Sequence, residues 1–168
     1  RMIDVYRSHY GNADSRTHIF GTEAKEIVTT SRKAIADILG VDSTDVFFTS
    51  GSTESNNMAI VGLLDYALES GRHHFITTSI EHKSVLEAMK YLQEKGCSVD
   101  FVSPDSSGRI RPEQILDLVT EKTLLVSMMH VNSETGIIQP IEEVGEALSK
   151  TKTYFHIDAT QGFGKLNQ

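Results

Sequence analysis

The sequence predicts an α/β fold in three layers, with a mainly parallel sheet flanked by helices on both faces. Two observations carry that expectation. Short β-branched or aromatic runs alternate with longer stretches of helical periodicity, the order from which right-handed crossovers build a parallel sheet. Polar segments stand directly after the apolar runs, as they do where ligands gather at the carboxyl ends of parallel strands.

The first helix is expected at residues 22–39. There Ala24, Ile27, Val28, Ala34, Ile35, Ile38 and Leu39 recur at near-helical spacing, and Gly40 follows in a position suited to the left-handed conformation. Strands are expected at 45–50, 73–80, 98–102, 123–130 and 153–157, the last ending at Asp158. Between them, helical patterns cover 53–70, 83–95, 112–121 and 140–150. The last two open on Pro112 and Pro140, whose missing N–H has no partner to lose in a first turn. Asp105-Ser106-Ser107-Gly108 reads as an exposed loop, and no internal repeat or low-complexity tract divides what is expected to be one domain.

Composition narrows the function. The 168 residues are 39% hydrophobic and 23% charged, ordinary values for a globular domain with a proper core. A formal net charge of -7 without clustered Lys and Arg offers no basic surface for nucleic acid. No apolar run approaches the roughly 20 residues that span a bilayer, and the first ten residues lack the apolar segment of a signal peptide. Cys97 is the only cysteine, so an internal disulfide is excluded and a reducing compartment, the cytoplasm, is expected. The expected partner is a small molecule or a protein.

Four polar segments follow the expected strands: Ser50-Gly51-Ser52-Thr53-Glu54-Ser55-Asn56-Asn57, Glu81-His82-Lys83, Val131-Asn132-Ser133-Glu134-Thr135-Gly136 and Asp158-Ala159-Thr160-Gln161. In the first, Gly51 lets the backbone approach an anion, while the hydroxyls of Ser52 and Thr53 open a helix whose free N–H groups favour negative charge. It reads either as a phosphate cradle or as a helix cap with a turn. His82 could stack on a flat aromatic ligand, relay a proton, or cap a helix. Asp158 puts a carboxylate at the ligand edge of a largely apolar strand, a costly placement unless it is paired. The pyridine nitrogen of pyridoxal phosphate (PLP) is such a partner, and Gln161 can reach the phenolic oxygen of the same ring. The seven histidines do not make a metal site: none is paired at helical i, i+4 spacing, and His156 with Asp158 lacks an identifiable third ligand.

Together, Phe48-Thr49-Ser50-Gly51-Ser52-Thr53-Glu54-Ser55-Asn56-Asn57, Ile80-Glu81-His82-Lys83-Ser84-Val85, His130-Val131-Asn132-Ser133-Glu134-Thr135-Gly136 and His156-Ile157-Asp158-Ala159-Thr160-Gln161 resemble the cysteine desulfurases of the class V aminotransferase superfamily, in motif and in order. The resemblance runs from about Gly11 to the last residue. It implies the large domain of a PLP fold type I transferase, a homodimer, and conversion of L-cysteine to L-alanine, with the sulfur passed to an enzyme cysteine as a persulfide and on to an acceptor protein. It implies that Thr53 with the Gly51 and Ser52 backbone holds the cofactor phosphate, and that His82 stacks on the ring and moves protons. Asp158 would pair with the pyridine nitrogen and Gln161 with the phenolic oxygen.

Three departures qualify the resemblance. Ser133 stands where the family has a second Asn that helps bind the substrate carboxylate, so substrate binding there is doubtful. Gly11-Asn12-Ala13-Asp14-Ser15-Arg16-Thr17-His18 replaces the commoner Gly-Asn-Pro-Ser-Ser-x-His and is similar to the subgroup that supplies sulfur for DNA phosphorothioation. The family's cofactor-binding lysine and sulfur-accepting cysteine lie beyond Gln168. Lys83 and Lys165 match other family positions, and Cys97 reads as a small core residue.

Residues 1–168 are therefore expected to be the N-terminal part of the PLP-binding large domain. Alone they should be inactive, prone to self-associate through a cut sheet, and able to bind PLP only weakly. The alternatives are a selenocysteine or cysteine sulfinate lyase of the same superfamily and a non-catalytic scaffold or dimerisation module.

Overall fold

The computed structural model describes residues 2–15 and 17–166; Arg1 and Arg16, the latter in the segment replacing Gly-Asn-Pro-Ser-Ser-x-His, lie outside the described residues. The chain forms two compact units, one up to Phe48 and one from Thr49 onward.

The first unit holds helices α1 (Met2–Ser8) and α2 (Ile19–Leu39), followed by a 3-10 turn at Ser43–Asp45. Helix α2 starts three residues ahead of its apolar pattern because His18 caps it: His18 Nδ1 accepts from the Gly21 amide at 3.1 Å. The Ser15 hydroxyl bonds the other ring nitrogen of His18 at 3.1 Å, so the segment before the helix serves as its start. Gly40 adopts φ 66° and returns its N–H to Ala36, the left-handed ending the sequence suggests. Helix α1 was not expected, since seven residues are too few for a helical repeat to establish itself.

The strand expected at 45–50 does not form. Asp45 ends the 3-10 turn, Val46 is extended, and residues 46–49 pair with no strand among the described residues. Arg32 holds them instead, donating from Nε to the Val46 carbonyl at 2.9 Å and placing its guanidinium 5.3 Å from the Phe48 ring centre. High β-propensity at Val46, Phe47 and Phe48 makes a strand only where a neighbour accepts the ladder.

The second unit contains four strands, β1 (His74–Thr78), β2 (Ser98–Val102), β3 (Thr123–Met129) and β4 (Tyr154–Asp158). All pairings are parallel, in the order β2-β1-β3-β4. Helices α3 (Ser52–Val61), α4 (Leu64–Ser70), α5 (Lys83–Glu94), α6 (Pro112–Leu116) and α7 (Ile141–Leu148) complete the α/β architecture. Side chains alternate across the sheet and so build two cores. Phe75, Val99 and Leu125 pack with Ile60, Ala67, Val85, Met89 and Leu92 of α3, α4 and α5. Ile76, Val102, Val126 and Met128 pack on the other face with Ile115 of α6 and Val144 and Leu148 of α7.

Two helices are shorter than their patterns. The single helix expected at 53–70 breaks after Val61, where Leu63 N tightens onto Ile60 O and a Cβ on Gly62 would stand 2.3 Å from the Met58 carbonyl. The helix expected at 112–121 ends at Leu116, because Leu118 and Val119 bond three residues back and lead into β3. No helix among the described residues is long and apolar enough to cross a membrane.

Candidate active site

A cavity of about 250 Å³ opens at the carboxyl ends of β1, β3 and β4, the edge at which a parallel sheet collects ligands. It is lined by Ser52, His82, Met129, Val131, Ser133, Glu134, Asp158, Thr160 and Gln161. Five of the residues singled out from sequence thus meet around one space: Ser52, His82, Ser133, Asp158 and Gln161. Thr53 lies instead on a neighbouring cleft, which His82 also lines.

At the start of α3, Gly51 occupies the cap position and provides no side-chain acceptor. The helix therefore presents its first amides uncapped, which a simple Ser or Thr cap would have consumed. Glu54 folds back, its carboxylate accepting from the Ser50 amide at 2.6 Å and the Ser50 hydroxyl at 2.7 Å. Those bonds lower the Glu54 carboxyl below its ordinary value.

His82 follows β1 and caps α5, its Nδ1 accepting from the Ser84 amide at 3.2 Å and contacting the Ser84 hydroxyl at 2.8 Å. The capping role open in the sequence is realised, and the ring borders the cavity at the same time. Asp158 ends β4 and is half-buried. Burial alone would raise its carboxyl. The Thr160 hydroxyl at 2.6 Å, the Asn56 amide at 2.9 Å, the Thr160 amide and the nearby His156 outweigh that effect and hold it below the ordinary carboxylate value. Gln161 is exposed, and its side-chain oxygen accepts from Lys165 Nζ at 3.0 Å, leaving the amide NH2 as a donor. Ser133 is exposed on a loop organised by buried Asn132, whose Oδ1 accepts from the amides of Glu134 and Thr135 and the Thr135 hydroxyl.

Three neighbours of the site had no role in the sequence reading. Asn56, on α3, is buried and joins Asp158 to Ser84. Ser84, on α5, joins Asn56 to His82. Glu81 is buried and ties the end of β1 to the end of β3, its Oε1 accepting from the Thr78 hydroxyl at 2.5 Å and the Met129 amide at 2.8 Å. Its other oxygen has no hydrogen-bond partner among the described residues. Burial raises the Glu81 carboxyl; the Thr78 and Met129 bonds counter it in part, the charge of Asp158 adds to it, and the result is about 7. All three lie inside the quoted motifs, and the available signal was a polar residue where the helix or turn faces the core.

His156 is half-buried and bonds the Ser127 hydroxyl at 2.8 Å; burial lowers its ring despite the opposing pull of Asp158. Cys97 is free and buried, and burial raises its thiol. Lys83 borders the neighbouring cleft, and among the described residues no lysine lines the cavity itself.

The aminotransferase class-V family model matches residues 1–168. The chain belongs to the class-V aminotransferase family. Within this family it is 44% identical over 166 residues to a mitosomal cysteine desulfurase of Trachipleistophora hominis, a match covering 98% of this chain and 38% of that protein. It is 44% identical over 158 residues to the cysteine desulfurase IscS of Pasteurella multocida, covering 94% of this chain and 39% of that one. The class-V chain thus spans about two fifths of the length of these relatives. Among solved structures, DndA from Streptomyces lividans superposes with a TM-score of 0.92 at 45% identity over 98% of this chain and 46% of its own. SspA in complex with cysteine gives a TM-score of 0.91 at 37% identity, over 99% of this chain and 47% of its own.

The turn after Asp158 also carries a steric demand. A Cβ on Gly162 would stand 2.3 Å from Nδ1 of His130, a buried ring with little room to move. Gly162→Ala is expected to cost about 1–3 kcal/mol by overpacking, read as a lower denaturation midpoint. An unchanged midpoint would show that the turn yields freely.

Proposed function

We propose that the whole protein is a PLP-dependent cysteine desulfurase that converts L-cysteine to L-alanine and passes the sulfur on as a persulfide, and that residues 1–168 are the N-terminal part of its PLP-binding large domain. The observation that carries the reading is the convergence of Ser52, His82, Ser133, Asp158 and Gln161 on one cavity, with Asp158 held in its charged form. The names of the relatives agree with it, and the complex of SspA with cysteine supports L-cysteine as substrate.

The residues fit the cofactor. The uncapped first turn of α3, with Gly51, Ser52 and Thr53, suits a phosphate dianion. Asp158, supplied with donors from Asn56 and Thr160, keeps a negative charge to set against a protonated pyridine nitrogen. Gln161, its oxygen occupied by Lys165, would donate to the phenolic oxygen, and His82 would cover the ring. When bound, PLP withdraws electrons from the carbon beside the substrate amine. Around it, His82 would hold and move a proton, and the Ser133 hydroxyl would reach the substrate carboxylate, directly or through water.

A homodimer, a sulfur acceptor protein and a cytoplasmic setting belong to the same proposal. The segment with Ala13, Asp14 and Ser15 supports the subgroup that supplies sulfur for DNA phosphorothioation.

Absorbance titration of the 168-residue chain with PLP tests the reading. Saturable, reversible binding without a lysine adduct is expected, and no alanine from cysteine. Absence of saturation would count against the cofactor pocket; alanine production would show that these residues suffice for catalysis.

A further inference from the structure

We propose that Asn56 is a positioning residue that sets, through Ser84, which ring nitrogen of His82 carries the proton. Four side chains from three segments form one hydrogen-bonded chain: Asp158 at the end of β4, Asn56 on α3, Ser84 on α5, and His82 at the cap of α5. Its two ends, Asp158 and His82, line the cavity, while its two middle members are buried.

The direction of every bond follows from the first. The Asp158 carboxylate can only accept, so the Asn56 amide must turn Nδ2 toward it, at 2.9 Å. The second hydrogen of the same Nδ2 points to Ser84 Oγ at 3.0 Å. Ser84 Oγ is thereby an acceptor from Asn56, which leaves its own hydrogen for His82 Nδ1 at 2.8 Å. The Ser84 amide donates to the same nitrogen at 3.2 Å. Nδ1 receives two hydrogens and must offer its lone pair; the proton of the neutral ring resides on Nε2. A negative charge on Asp158 is thus converted, over three bonds, into a defined proton on His82, the group that the proposed reaction uses for proton transfer. The tautomer itself does not depend on the PLP reading; only its use does.

Two-bond 15N–1H correlations of the histidine rings, recorded above neutral pH, test the idea. In the unsubstituted protein the Nε2–H form of His82 is expected to exceed the Nδ1–H form by about tenfold or more, the effect of one to two hydrogen bonds. Asn56→Asp replaces a double donor by an acceptor, turns the Ser84 hydroxyl around and should lower the ratio further than Ser84→Ala does, with the Ser84 amide still donating to Nδ1. Ser84→Ala removes one donor to Nδ1 but keeps the backbone amide, and should lower the ratio about two- to tenfold. The double variant should match Ser84→Ala, because the link is cut.

An unsubstituted protein already in the Nδ1–H form, or an Asn56→Asp protein with an unchanged ratio, would overturn the proposal. So would a double variant whose ratio falls as far as that of Asn56→Asp, since that would mean direct electrostatics and not relay through the hydroxyl. Should Asn56→Asp lose its dispersed amide spectrum, Ser84→Ala decides alone, and no change in its ratio would overturn the proposal. A PLP titration alongside separates the two readings: failure to bind PLP sinks the cofactor pocket and leaves the tautomer result standing.

Discussion

Glu81→Gln is expected to stabilise the fold at pH 8 by about 3 kcal/mol and to leave stability unchanged near pH 4, measured by denaturant unfolding across the range. The folded carboxyl is raised from 4.5 to about 7. Below 4.5 the group is protonated in both the folded and the unfolded chain and carries no penalty. Between 4.5 and about 7 the folded chain holds a proton that the unfolded chain has released, so folding weakens as pH rises, by about 1.4 kcal/mol per unit. The introduced amide keeps the acceptor for Thr78 and Met129 and replaces the partnerless oxygen by an uncharged group. Equal stability of the two proteins at pH 8 would show that Glu81 ionises without cost.

Asp158→Asn should weaken PLP binding by roughly ten- to a hundredfold, the size of a hydrogen bond to a charged group. The introduced amide has one acceptor where the carboxylate offers two. With its oxygen kept by Thr160, its NH2 would meet the NH2 of Asn56, and the charge opposite the pyridine nitrogen would be gone. Fluorescence or absorbance titration of both proteins measures the ratio. Equal affinities would remove Asp158 from the cofactor's surroundings.

Much of the fold was legible because its signals are local. The runs that became β1 to β4 have their own apolar content and turn residues, and β2 matches its expected bounds of 98–102. The failures lie where the apolar pattern is silent, on strand pairing and on turn tightening. Val46, Phe47 and Phe48 read as a strand, yet among the described residues no strand pairs with them, and Phe47 is left 74% exposed. The break after Val61 is local, with Leu63 N tightening onto Ile60 O, and apolar periodicity carries no sign of it.

The candidate site divides in the same way. His82, Asp158, Gln161, Ser133 and Ser52 are residue types with chemistry of their own, placed after strands, and sequence could nominate them. Asn56 and Ser84 matter only through partners, and Asn56 lies 102 residues from Asp158. Glu81 stood in a polar segment without a role of its own; its burial is created by strands β1 and β3 closing around it.

Among the described residues, strand β4 is bonded along one side only, to β3, and leaves Tyr154 and Ile157 substantially exposed. Asp158 sits on that strand, while the open first turn of α3 sits across the cavity from a different segment. A ligand that engages both would hold the outermost strand in register from its free end, coupling occupancy to the integrity of the sheet. At a hundred times its dissociation constant such a ligand adds about 2.7 kcal/mol to folding. Saturation would then reach the β4 amides as slower hydrogen exchange, far more than those of central β1, so the margin of the sheet itself reports whether the cavity is filled.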